Sequence, residues 1–297
     1  MTSAGVLGVL CAVALCADVV RAQQQAPPTF RAGADAVTVE VSVRDRSKPV
    51  MGLQPADFVV LDTNVAQTVA AVSYGVKPID VTVVLDISQS VTGLMLDRLR
   101  RAVRQLMTDR GPDDRLKLIM FNSRVSRVVD FTTDADAVDQ AIRGVSGGGG
   151  SAVWDALSVA VVSASDPDRR QLVMMFTDGS DSISVLSSQG AAHVIERTTA
   201  AVSAVVSSRG PVDRSTHGSA LATLRQLTTD SGGVYIALAS STQDLTSTFK
   251  QVLDEFRSTY VLHYTPTGVD AGGFHPLEVS VRGRGGLTVK ARRGYFR

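Results

Sequence analysis

Between Ile79 and Arg257 the chain alternates largely apolar runs with amphipathic segments, and few folds accept that order. Leu172 to Phe176 contains no polar residue and Val81 to Leu85 only Thr82, as expected of strands buried on both faces. Leu116 to Phe121 and Ala201 to Val206 read as further buried strands, with Val125 to Phe131 and Val234 to Ala239 as additional ones. Leu94, Leu96, Leu99, Val103 and Leu106 fall on or near one stripe, which predicts a helix over Leu94 to Met107. Helices are also predicted at Ala135 to Ile142, Ala152 to Ser163, Gln189 to Arg197, Ser219 to Leu227 and Thr242 to Arg257. Strands that alternate with helices pack as a doubly wound, mostly parallel α/β sheet covered on both sides.

Both flanks are β in character. Val37, Val39, Val41 and Val43 alternate with polar or small residues, giving a strand with one apolar face. Phe58 to Leu61 and Val69 to Tyr74 follow, with a turn at Asp62-Thr63-Asn64. After Arg257, Thr259 to Tyr264, Leu277 to Val281 and Leu287 to Ala291 are β-like and separated by Gly-rich turns. An α/β domain inserted into a small β-sandwich-like domain explains this order; two unrelated β appendages are the alternative. The expected organisation is a signal peptide at 1–22, a β segment at 23–77, the α/β domain at 78–258 and a second β segment at 259–297.

The apolar run Val6 to Leu15 is too short to span a bilayer comfortably, and Val20-Arg21-Ala22 places small residues where a signal peptidase reads. Met1 to Gly5 lacks the usual lysine or arginine. Export to a periplasmic or extracellular location is expected. The two cysteines, Cys11 and Cys16, both lie in this leader, so a disulfide framework and a cysteine-built zinc site are excluded. A net charge of +1 argues against a nucleic-acid binder. No later stretch reaches 18 uninterrupted apolar residues, so no membrane span is expected in the mature chain. His193, His217, His263 and His275 sit on different elements and suggest no shared base; the pairs Arg100-Arg101 and Arg292-Arg293 read as solvated faces.

The chemistry is concentrated in three places. The first buried strand ends in Asp86-Ile87-Ser88-Gln89-Ser90, the Leu172 strand ends in Thr177-Asp178-Gly179, and Gly147-Gly148-Gly149-Gly150-Ser151 opens a helix between them. Loops after the strand C-termini of a parallel sheet converge on one edge. Asp86, Ser88, Ser90, Ser151 and Asp178 are therefore expected to meet. All five offer oxygen, which selects Mg²⁺, with Mn²⁺ or Ca²⁺ as alternatives, over zinc or copper. Two carboxylates roughly neutralise a divalent ion, and the hydroxyls add no charge. The Gly run lacks the Gly-Lys-Ser/Thr ending of a phosphate loop, and Gly149 to Val153 is not a nucleophile elbow.

Asp-x-Ser-x-Ser, a later Gly-rich loop with a hydroxyl residue, and Thr-Asp-Gly after a buried strand resemble the metal-ion-dependent adhesion site of von Willebrand factor type A domains. The resemblance covers Ile79 to about Arg257. The flanks, including Ser73-Tyr74 and Arg293 to Phe296, are similar to exported bacterial proteins whose type A domain sits between β segments. It implies that Asp86, Ser88, Ser90, Ser151 and Asp178 bind the ion, the hydroxyls directly and the carboxylates partly through water. The third-loop residue in that family is usually threonine; Ser151 keeps the oxygen and loses the methyl.

The expected function is an exported, non-enzymatic protein-binding module for adhesion or assembly, whose Mg²⁺ takes an Asp or Glu carboxylate from a protein partner. The alternatives are a structural envelope protein with a vestigial site and a metal-assisted hydrolase, although no general base stands beside the five oxygens in sequence.

Overall fold

The computed structural model describes residues 36–91, 93–163, 166, 168–207, 216–240 and 242–297. The expected signal peptide and the Arg214-Ser215 loop before His217 lie outside them.

Along the chain the elements are β1 (Val37–Asp45), β2 (Lys48–Pro49), β3 (Phe58–Asp62), β4 (Val65–Gln67), β5 (Ala71–Tyr74), β6 (Ile79–Asp86), α1 (Leu94–Asp109), β7 (Arg115–Phe121), β8 (Val125–Thr132), α2 (Ala135–Arg143) and α3 (Val153–Val162). They continue as β9 (Arg170–Thr177), α4 (Ser188–Glu196), β10 (Ala201–Val206), α5 (Thr216–Asp230), β11 (Tyr235–Ala237), α6 (Leu245–Arg257), β12 (Tyr260–Tyr264), β13 (Phe274–Val281), β14 (Leu287–Ala291) and β15 (Gly294–Phe296).

Six strands form the central sheet in the order β11-β10-β9-β6-β7-β8. All neighbours are parallel except β7 and β8, which are joined by a short connection that permits only antiparallel pairing. The continuous apolar runs are explained by two cores, one on each face. Val83 and Leu85 of β6 pack with Leu99 and Val103 of α1 and Phe249 and Val252 of α6. Val84, between them in sequence, faces Trp154 and Leu157 of α3 and Leu224 of α5. Successive strand residues point to opposite faces, so a strand covered on both sides is apolar at most positions. Trp154 is part of this packing.

The chain ends build two further sheets. One has the order β14-β1-β12-β5 with β2 hairpinned onto β1; the other runs β15-β13-β3-β4. Strands from before and after the central sheet pair directly: β1 with β12, β12 with β5, and β13 with β3. Val39, Val41 and Val43 share a core with Phe58, Val60 and Tyr260, which accounts for the alternation of valines in β1. Asp62 is buried between the sheets and accepts hydrogen bonds from Tyr264 (2.8 Å), Tyr295 (2.8 Å) and the Nδ1 of His275 (2.9 Å).

One surface reading is corrected. Arg292 is not solvated but buried, with Nε donating to the Gly294 carbonyl at 2.7 Å. Residue charge cannot reveal this, because a guanidinium can be buried where the local backbone supplies acceptors. No helix among the described residues is long and apolar enough to cross a membrane.

Candidate metal centre

β6 and β9 are adjacent and parallel, so their C-terminal loops emerge side by side. Asp86 closes β6 and is fully buried. Its Oδ1 accepts the Ser88 backbone N–H at 2.9 Å. Its Oδ2 accepts the Ser151 hydroxyl at 3.1 Å and the Thr177 hydroxyl at 2.8 Å. The Oγ atoms of Ser88 and Ser90 stand 2.9 Å apart. Asp178 follows at the end of β9; it is buried, and its Oδ1 accepts the Ser180 N–H at 2.9 Å. The structure thus gathers the three predicted segments at one sheet edge, linking Asp86 to Ser88, Ser88 to Ser90, and Ser151 back to Asp86.

The loops are held to one another by backbone. Gly148 N–H donates to the Ile87 carbonyl at 2.9 Å, and Gln89 N–H donates to the Gly149 carbonyl at 3.1 Å. The Gly run therefore fastens to the Asp86–Ser90 loop. Gly149 adopts φ 81°, and a Cβ there would stand 2.7 Å from the Ser123 Oγ, so glycine is required for this close approach. Ser88 and Ser90 do not cap α1, whose N-cap is Gly93 without a side-chain cap. Their hydroxyls are left to the site.

Sequence reasoning missed the groups that position Ser151. The N-cap of α3 is Ala152, which offers no capping side chain. The loop after Asp178 supplies the caps from a distance. Asp181 Oδ1 accepts the Val153 N–H at 2.8 Å, and Ser184 Oγ accepts the Trp154 N–H at 3.0 Å. The Ser182 hydroxyl accepts the Ser151 N–H at 2.8 Å. Asp155 returns the contact by accepting the N–H groups of Val185 and Leu186, both at 2.9 Å. Thr177 was visible beside Asp178 in the motif, but its role in holding Asp86 depends on the β6–β9 register.

Burial pushes the Asp86 pKa up; hydrogen bonds from Ser88 and Thr177 oppose the shift, and the charge of Asp178 adds to it. The hydrogen-bond partners of Asp86 among the described residues are neutral. A buried carboxylate beside a second carboxylate and among hydroxyls fits a hard divalent cation, which would offset the repulsion. No group of three or more His, Cys, Asp or Glu side chains suited to a metal occurs among the described residues, so hydroxyls would have to complete the ligand set.

Comparison with known proteins bears on the fold. Residues 81–180, a third of the chain, match the family model of the von Willebrand factor type A domain. The matched residues hold β7 to β9 and nearly all of β6, so this part of the central sheet matches a type A domain, and antiparallel sheets flank the central sheet. A von Willebrand factor type A protein from Catenulispora acidiphila superposes with a TM-score of 0.50 at 11% identity, covering 87% of this chain and 72% of its own. Proximal thread matrix protein 1 from the mussel byssus gives a TM-score of 0.51 at 15% identity, covering 66% of this chain and 51% of its own. At such identities the likeness concerns the fold alone. No curated protein sequence matches the chain significantly.

Proposed function

We propose that this chain is an exported protein-binding module whose type A domain holds Mg²⁺ through Asp86, Ser88, Ser90, Ser151 and Asp178. The observation that carries the reading is the convergence of five oxygen-bearing side chains from three segments on one sheet edge, around the buried Asp86 carboxylate, whose hydrogen-bond partners among the described residues are neutral. When bound, the ion would supply a hard positive charge with a vacant coordination position, which an Asp or Glu carboxylate of a protein partner fills. The chain's own residues fix the geometry. Asp86 is oriented by Thr177, and Ser151 is set at the mouth of α3 by Ser182. Mn²⁺ or Ca²⁺ suits the same oxygens. The role is adhesion or assembly rather than catalysis, since the site presents oxygens with no histidine or lysine base among its described hydrogen-bond partners.

The test has two arms. Calorimetric titration of the full chain with Mg²⁺ should give one site, lost in Asp178→Ala; absence of uptake at millimolar metal would end the metal reading. Capture of protein partners from an envelope extract should disappear with EDTA and with Asp178→Ala. Capture that persists under both conditions would end the adhesive reading while leaving the metal site intact.

A further inference from the structure

A cavity lies at the opposite edge of the sheet. α4 ends at Glu196 just before β10, and α5 ends at Asp230 just before β11. Their C-termini therefore sit at the N-terminal ends of the strands, away from Asp86 and Asp178. There, α4 and α5 face the closing strands β13 and β15 across a cavity of about 540 Å³, within the range that encloses small ligands. Its apolar wall includes Ala192, Ile195, Leu227, Phe274 and Pro276. Phe274 is a large hydrophobic residue left 42% exposed there.

One charged side chain in this lining is out of place for a merely apolar cleft. Arg292 is only 7% exposed, yet no carboxylate lies within ion-pair distance of it among the described residues. Its Nε donates to the Gly294 carbonyl at 2.7 Å, and its Nη2 only grazes the Glu196 carbonyl at 3.5 Å. Desolvation pulls its pKa down, with the charge of Glu40 opposing. Glu40 is itself engaged by Arg170 at 3.0 Å. The acids of the lining do not neutralise Arg292. Asp230 accepts from the Nε of Arg293 at 3.1 Å and from the amide of Gln226 at 2.8 Å. The Glu196 side chain is partly exposed, where solvent screens its charge. A buried guanidinium without a counter-ion is costly, and an incoming anion with hydrogen-bonding oxygens relieves that cost.

We propose that this cavity binds a small amphipathic carboxylate, its head group on Arg292 and its apolar body against Ala192, Ile195, Leu227 and Phe274. The ligand spans α4 and α5 of the type A domain and the closing strands, so its binding clamps the two together. It is independent of the proposed metal centre.

The test uses the full chain, calorimetry and three probes of one length: octanoate, octanol and octylamine. Octanoate should bind with a dissociation constant below about 1 mM and octanol roughly ten- to a hundred-fold more weakly, the difference made by a charge-assisted hydrogen bond. Octylamine, which Glu196 would favour, should not bind. EDTA and Asp178→Ala should leave octanoate binding unchanged. Arg292→Gln should abolish the preference for the carboxylate. Ala192→Phe fills the apolar wall while keeping Arg292, and should block octanoate even if Arg292→Gln fails to fold. No octanoate binding, octylamine binding as tight as octanoate, or octanoate binding unaltered by Ala192→Phe overturns the proposal.

Discussion

Arg170→Met isolates the joint between the central sheet and the sandwich. Arg170 is the first residue of β9 and is buried. Its Nε and Nη2 reach the two carboxylate oxygens of Glu40 on β1 at 3.0 and 3.1 Å. Nη2 also donates to the Phe256 carbonyl at 2.6 Å and to the Thr259 hydroxyl, and the guanidinium carbon stands 4.2 Å from the centre of the Phe256 ring. Methionine keeps the apolar stem and removes every one of these contacts. Breaking a buried pair from one side costs about 3–5 kcal/mol, because the other charge stays desolvated. The Glu40 side chain retains 22% exposure, which favours the lower end, about 3 kcal/mol. For a chain of this size that lowers Tm by roughly 6–12 °C. The sign with pH is fixed by Glu40. Burial raises its pKa above 4.5, and Arg170 is the chief opposing influence, so the variant raises it further. A group with a raised folded pKa is most compatible with folding below its unfolded pKa, and that stability is lost as pH rises through the folded pKa. Urea unfolding of wild type and variant should therefore show the smallest deficit near pH 4.5 and the full deficit at pH 8, with Glu40→Gln restoring part of it. A deficit under about 1 kcal/mol at pH 8, or one that grows toward acid, refutes the reasoning.

Gly179 sits at φ 80° beside Asp178, and a Cβ there would collide with the Leu221 side chain. Gly179→Ala should cost about 2 kcal/mol in chemical denaturation and weaken Mg²⁺ uptake by displacing Asp178. Asp181→Ala removes the distant cap of α3 and should cost about 1 kcal/mol, with faster amide exchange at Val153 as the local readout. At Asp62, desolvation raises the pKa, but hydrogen bonds from Tyr295, His275 and Tyr264 outweigh it and hold the carboxylate below 3.8. The resulting stability is present above the unfolded pKa and lost as pH falls through the folded value, so Tyr295→Phe should move the acid-unfolding midpoint to higher pH. An unmoved midpoint would show that the Tyr295 hydroxyl does not hold the Asp62 charge.

The central sheet was legible because burial on both faces leaves a local signature, and Val81 to Leu85 and Ala201 to Val206 fall inside strands of the structure. Short strands were not legible. β4 and β15 have three residues each, too few for periodicity, and pairing with β3 and β13 decides them. The turn at Thr63 and Asn64 was read from residue type, and both adopt positive φ, at 50° and 63°. The meeting of three oxygen-bearing segments at one sheet edge was legible from their places at strand ends. What holds them was not: Asp181 and Ser184 act on N–H groups 28 and 30 positions away, and only the fold brings such partners together. Arg292 escaped for the same reason, since its burial comes from α4 and its own turn.

The way the type A domain is inserted bears on where a partner can reach it. The chain passes from β5 into β6 between Tyr74 and Ile79, and from α6 into β12 between Arg257 and Tyr260. β6 begins at the N-terminal edge of the parallel sheet. α6 runs antiparallel to the strands, as crossover helices must, and ends at that same edge. Both crossings and the Arg170–Glu40 pair therefore fall on the edge opposite Asp86. Strands β1 and β12 can pair only where the two crossings lie close together, so sandwich formation selects this edge. The C-terminal edge is left to loops, and there backbone donors and hydroxyls can be arranged around Asp86 without disturbing either apolar core. A substitution in those loops should thus alter metal uptake with little effect on the unfolding of the sandwich, whereas one at Arg170 should do the reverse.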